Sequence, residues 1–189
     1  MKATRKYRRK TERLVLDAVL AALTLVLGLY LTIRVGTAIE VSLTSLPILF
    51  AAFLLGPVDA LTVALVSSFL KQVILYGVGP TTVVWMLPSV LFALIAGLLA
   101  LPIRKYAASA PAGIIGLTLL TVLSELIFTI ATTAVIYFDA WFYQYPPKAL
   151  AVLLPLRLAS CALRMMVTTC CVAFLFPRIQ KMMSKRNNP

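Results

Sequence analysis

Long apolar runs, separated by short polar stretches, dominate the chain. Six such runs cover residues 14–33, 46–55, 58–75, 83–101, 112–138 and 149–176. A helix needs about 20 predominantly apolar residues to cross a bilayer, and five of the runs approach or exceed that length. The second run is only about half as long, so it is short for a span. The pattern predicts an all-α integral membrane protein with six transmembrane helices in one bundle.

The connections between the runs carry turn or extended-chain residues. The stretch 34–45 is rich in β-branched residues and alternates in polarity, which favours an ordered, extended loop. Pro57 suits the first turn of the third helix, where its missing N–H costs nothing. The segment 76–82 contains Gly77, Gly79 and Pro80 and predicts a turn-rich loop.

Composition excludes a soluble domain. Hydrophobic residues make up 61% of the 189 residues and charged residues 13%, whereas soluble domains carry about 25% charged residues. The chain has no His, and its three cysteines (Cys161, Cys170 and Cys171) all fall in the last apolar run. These residues provide no zinc or redox motif, so we expect no metal, no cofactor and no catalytic residues.

The basic residues predict the topology. Of 18 Lys and Arg, seven precede residue 14, two lie at 104–105 and four follow residue 177. Because basic residues accumulate on the cytoplasmic side of a membrane, both termini are predicted to be cytoplasmic. The chain then forms a single membrane domain over 1–189, with basic tails at 1–13 and 178–189 flanking the bundle at 14–177. Clusters beside apolar runs fit anionic lipid better than nucleic acid.

Ionisable residues within the predicted spans are candidates for function. Each costs about 2.5–3.5 kcal/mol to insert, so such side chains face protein or a cavity. Five stand out: Asp59, Lys71, Glu125, Arg157 and Arg164. Asp59 starts the third helix, where a carboxylate favours the helix dipole.

The other four suggest an outward-facing cavity. Arg157 and Arg164 are seven residues apart and share one helix face. Glu125 lies at a depth similar to that of Arg164 and could neutralise it, either as a purely structural ion pair or within a ligand site. Lys71 and Arg157 would then remain as excess positive charge in the outer half of the bundle. An anionic or carboxylate-bearing solute is the implied ligand.

Aromatic and small residues provide further candidates. Tyr76, Trp85 and Tyr143 fall near the predicted outer loops, where they either belong to the aromatic belt of the membrane interface or stack on a ring of the ligand. Ala18 and Ala22 in the first helix form a small-residue ridge that permits close helix contact, as do other such residues in the third and fourth helices. A ridge of this kind serves internal packing or docks another membrane protein.

Taken along the chain, these features resemble the substrate-binding S components of energy-coupling factor (ECF) vitamin transporters. The resemblance includes the basic N-terminal tail, Ala18-xxx-Ala22, an outer loop leading into Ser45-Leu-Pro-Ile, and a short second helix closed by Leu54-Leu-Gly-Pro57. The segment 46–64 looks most like the folate and pantothenate branch. A third alanine of the family's first-helix motif would fall at Val26, where this chain departs from the pattern.

The resemblance implies a subunit that binds a vitamin from outside and associates with a transmembrane coupling protein and two cytosolic ATPases in a prokaryotic plasma membrane. It implies that Ala18 and Ala22 contact the coupling protein. The chain contains no Walker motif, so a partner must supply the energy. The predicted ligand site comprises Lys71, Tyr76, Trp85, Glu125, Tyr143, Arg157 and Arg164. The alternatives are a membrane enzyme acting on a lipid or isoprenoid phosphate, and a stand-alone secondary transporter.

Overall fold

The computed structural model describes residues 2–35, 39–106, 110–144, 155 and 157–175. Its elements in chain order are α1 (Lys2–Tyr30), β1 (Ile33–Val35), β2 (Ile39–Val41), α2 (Ser45–Leu54), α3 (Pro57–Tyr76), α4 (Thr82–Tyr106), α5 (Ala110–Phe142) and α6 (Arg157–Leu175). Five of the helices are long and apolar enough to cross a membrane, and α2 is a shorter apolar helix. The predicted helical integral membrane bundle is confirmed.

Several boundaries differ from those predicted. The basic N-terminal stretch is helical, because α1 already begins at Lys2. The same helix stops at Tyr30 rather than near residue 33, since Ile33–Val35 pairs in antiparallel register with Ile39–Val41. At its far end α5 continues to Phe142 instead of ending near residue 138. The predicted start of the sixth span at 149 and the basic residues after 177 lie outside the described residues.

Small residues let the helices of the core approach closely. Seven alanines of α2, α3 and α4 are completely buried: Ala51, Ala52, Ala60, Ala64, Ala93, Ala96 and Ala100. A Cβ added to Gly97 of α4 would lie 2.5 Å from the Cα atom of Pro57, so α4 packs directly against the first turn of α3. The small-residue ridges predicted for the third and fourth helices therefore serve internal packing.

The short helix α2 is enclosed by protein. Leu46, Ile48 and Leu49 are buried together with both of its fully buried alanines, and α2 contacts α1, α3 and α4. A helix too short to cross the bilayer is tolerated where protein surrounds it.

Candidate functional site

A cavity of about 590 Å³ opens between the helices near the end of the bundle where α3 ends and α4 begins, hereafter the outer end. Its walls come from all six helices, from the segments just before α2 and α4, and from the residue that follows α5. Pockets of about 300–1,000 Å³ hold small-molecule ligands in other proteins. The volume of this cavity therefore suits a ligand the size of a vitamin.

The residues predicted from sequence meet at this cavity. Six of the seven candidate ligand residues line it: Lys71, Tyr76, Trp85, Tyr143, Arg157 and Arg164. The seventh, Glu125, is fully buried directly behind Arg164. Helical spacing explains the clustering on α6, because Arg157 and Arg164 lie two turns apart on one face.

Glu125 and Arg164 form the ion pair that their depth predicted. Arg164 Nε donates a hydrogen bond of 2.6 Å to Glu125 Oε2, and Arg164 Nη2 donates one of 2.9 Å to Thr129 Oγ1. Thr168 Oγ1 lies 3.5 Å from Glu125 Oε1. Because the carboxylate is completely buried, this pairing and its hydrogen bonds offset its desolvation.

An aromatic ring also fixes the guanidinium. Arg164 Cζ lies 4.6 Å from the ring centroid of Phe128, a cation–π distance. Phe128 meets Phe92 of α4 edge to face, with centroids 5.9 Å apart. Arg164 thus has a defined orientation at the deep end of the cavity, which both it and Phe128 line.

The Lys71 side chain lies against α1. A Cβ added to Gly28 would lie 3.3 Å from Lys71 Cδ and 3.0 Å from Thr44 Cγ2. The glycine therefore leaves room for the aliphatic stem of Lys71, which extends from α3 into the same cavity.

Hydroxyl groups form much of the wall, a feature that sequence reasoning did not identify. Eleven of the 25 described residues that line the cavity are Ser or Thr. Many donate their proton to a carbonyl of their own helix: Thr24 Oγ1 to Leu20 O at 2.7 Å, Ser68 to Ala64 at 2.6 Å, and Thr132 to Phe128 at 2.6 Å. A hydroxyl has one donor and two lone pairs, so such oxygens can only accept hydrogen bonds from a ligand.

Sequence reasoning also missed two carboxylates. The fifth apolar run ends at residue 138, but α5 extends past Asp139 and places it on the cavity wall. Asp17 lies within the membrane-spanning part of α1, outside the cavity lining. Among the described residues, Asp139 on the wall and Glu125 behind it now accompany the three cationic side chains, so the excess positive charge is smaller than predicted.

Ala18 and Ala22 lie on a face of α1 that points away from the bundle. Both are exposed, while Ala21, Thr24 and Gly28 of the same helix are buried. Val26, one turn beyond Ala22, is 47% exposed on the same face. Within the part of the chain that the structure describes, this small-residue ridge therefore makes no internal packing contact of the kind seen in α3 and α4.

The family is decided by a match over nearly the whole chain. Residues 8–176 match the family described as "ECF-type riboflavin transporter, S component". The chain belongs to this family. The S component resemblance is thereby confirmed, and the protein is a transporter subunit rather than the lipid enzyme considered as an alternative. None of the curated proteins matches the chain in sequence.

Two solved structures share the fold. ThiT from Listeria monocytogenes is 18% identical, with a TM-score of 0.75 over 92% of this chain and 97% of that chain. A second structure is described as that of the S component of a bacterial ECF transporter, with its mechanism. It is 21% identical, with a TM-score of 0.66 over 92% of this chain and 98% of that chain. At these identities the similarity concerns the fold.

Proposed function

We propose that this S component binds a water-soluble vitamin from outside the cell in the cavity at its outer end, and that riboflavin is the first candidate. The observation that carries the proposal is the convergence of Lys71, Trp85, Arg157 and Arg164 on one cavity of about 590 Å³. The family description names riboflavin. Its ring system, imide and polyhydroxyl chain match aromatic side chains and a wall rich in hydroxyl acceptors.

A carboxylate-bearing vitamin, such as folate or pantothenate, is the second candidate. Lys71 and Arg157 favour it, because both cationic side chains line the cavity and could bind a carboxylate by charge-assisted hydrogen bonds. Asp139 on the same wall weighs against it, since a second carboxylate nearby would repel the ligand.

Transport requires partners, which we propose to be a transmembrane coupling protein and two cytosolic ATPases in a prokaryotic plasma membrane, with both termini of this chain cytoplasmic. The exposed ridge of Ala18 and Ala22 would contact the coupling protein, because small residues let a partner helix approach closely. ATP hydrolysis by the partners would reorient this subunit and open the cavity towards the cytoplasm.

The experiment that tests the proposal is isothermal titration of the detergent-purified chain with riboflavin, folate, pantothenate and thiamine in the absence of ATP. We expect one of the four to bind with a Kd of nanomolar to low micromolar order, about −8 to −12 kcal/mol. Riboflavin is expected to bind most tightly. A monodisperse, folded sample that binds no vitamin would contradict the proposal.

A further inference from the structure

Asp139, a partly buried residue, places an acceptor atom on the wall of the cavity. It lies on the face of α5 that also presents Phe128, Thr132 and Ile136 to the cavity, and it precedes the end of that helix by one turn. Its Oδ1 atom is buried and accepts no hydrogen bond from any described residue. Buried carboxylate oxygens in folded proteins almost always have a donor, so this one suits a donor carried by a ligand.

Asp139 lies far along α5 from Phe128 at the deep end of the cavity. Along the helix axis, Asp139 and Phe128 are separated by about 16 Å, at a rise of about 1.5 Å per residue. Arg164 stacks on Phe128 at the deep end, whereas Asp139 lies near the outer end. A ligand that fills the cavity therefore meets a guanidinium donor at one end and a carboxylate acceptor at the other.

The hydroxyl groups between the two ends add further acceptors. Ser67 Oγ donates a hydrogen bond of 2.7 Å to Val63 O, and Ser160 Oγ donates one of 2.8 Å to Arg157 O. Three further hydroxyls of the wall donate to carbonyls of their own helices in the same way: Thr24, Ser68 and Thr132. Each then offers only lone pairs to the cavity. These hydroxyl groups therefore favour a ligand that carries several O–H or N–H donors.

We infer that Asp139 accepts a hydrogen bond from an O–H or N–H group of the bound vitamin and selects donor-bearing ligands over ligands with a carboxylate at this end. The inference rests on the proposed function and adds to it a specificity-determining residue. The carboxylate acts in two ways: it satisfies a ligand donor, and it repels a ligand anion across a cavity of low dielectric.

The test compares Asp139→Ala and Asp139→Asn with wild type, using riboflavin and pantothenate as probes and isothermal titration of the full chain as the measurement. The matched control is Asp59→Asn, which removes a carboxylate from the first turn of α3, at the opposite end of that helix from the cavity mouth. Thermal unfolding in detergent checks that each variant is folded.

We expect Asp139→Ala to weaken riboflavin binding about ten-fold or more, because a ligand donor loses its acceptor. Asp139→Asn should weaken it less, since the amide oxygen still accepts. Pantothenate binding should be unchanged or tighter in both variants, so the ratio of the two Kd values shifts. Asp59→Asn should leave both affinities at the wild-type level.

Three outcomes would overturn the inference while vitamin binding stands. The first is an unchanged riboflavin affinity in Asp139→Ala. The second is an equal loss of affinity for riboflavin and pantothenate, which a purely structural role of Asp139 would produce. The third is a wild-type protein that binds pantothenate and not riboflavin. A folded wild-type protein that binds neither these two probes nor any other vitamin would overturn the proposed function and this inference together.

Discussion

Arg164 Nε donates a hydrogen bond of 2.6 Å to Glu125 Oε2, and this contact ties α6 to α5 at the deep end of the cavity. The Glu125 side chain is fully buried, and that of Arg164 is 12% exposed. The ion pair therefore contributes to the packing of two helices and also sets the position of a cation that a ligand could meet. These two roles can be separated by substitution.

Glu125→Gln should destabilise the bundle by about 3–5 kcal/mol, because it leaves the guanidinium of Arg164 buried without a counterion. A lower midpoint of thermal unfolding in detergent would measure the effect. The control is the double variant Glu125→Met with Arg164→Met, which removes both charges and should be close to wild type in stability. A single variant as stable as wild type would mean that the pair does not hold α5 and α6 together.

Gly97→Ala should destabilise the chain by about 1–3 kcal/mol through overpacking, because the new methyl group would lie 2.5 Å from Pro57 Cα. The matched substitution is Gly79→Ala, whose Cβ would lie 3.9 Å from its nearest neighbour, Thr82 Oγ1. Both would be compared by thermal unfolding. Equal midpoints for the two variants would contradict the close approach of α4 to α3.

Trp85→Ala should weaken riboflavin binding by about 0.5–1.5 kcal/mol beyond the loss of buried area, since an aromatic partner of the ring is removed. Trp85→Phe should restore most of the affinity. Trp141→Ala is the control variant, because Trp141 is 75% exposed and is not part of the cavity wall. Quenching of flavin fluorescence would measure all three, and a Trp85→Ala variant with wild-type affinity would assign Trp85 to the membrane interface alone.

Ala18→Trp should leave vitamin binding intact and abolish assembly with the coupling protein, because a large side chain on the exposed ridge of α1 prevents close helix contact. Leu16→Trp is the matched control on the same helix, since Leu16 is 44% exposed but lies about 160° around the helix axis from Ala18, at about 100° per residue. Co-purification of the coupling protein and ATPases with each variant is the measurement. Assembly that survives Ala18→Trp would remove this face from the interface.

Much of the architecture could be predicted from the sequence. The spans follow from composition, because a bilayer demands long apolar runs. The shared face of Arg157 and Arg164 follows from their spacing, and the pairing of Arg164 with Glu125 follows from similar depth and the cost of unpaired charge. Because lipid excludes charged side chains, it could also be expected that these residues face one common cavity.

Other features depend on contacts that spacing does not encode. The fifth apolar run is predicted to end near residue 138, which leaves Asp139 outside the span, whereas α5 continues to Phe142. The acceptor character of the hydroxyl wall depends on where each proton is donated, as in Thr132 to Phe128 O. The pairing of Ile33–Val35 with Ile39–Val41 was predicted only as an extended loop.

The proposal that the vitamin binds in this cavity is tested most directly by filling the cavity with a large side chain. Gln72 of α3 lines the cavity, whereas Ile74 of the same helix is 57% exposed and outside it. Gln72→Trp and Ile74→Trp would be titrated with the vitamin that wild type binds, after thermal unfolding shows that both are folded. We predict that Gln72→Trp weakens binding at least about 100-fold, or about 2.7 kcal/mol, while Ile74→Trp matches wild type. Wild-type affinity in the folded Gln72→Trp variant would contradict the assignment of this cavity as the vitamin site.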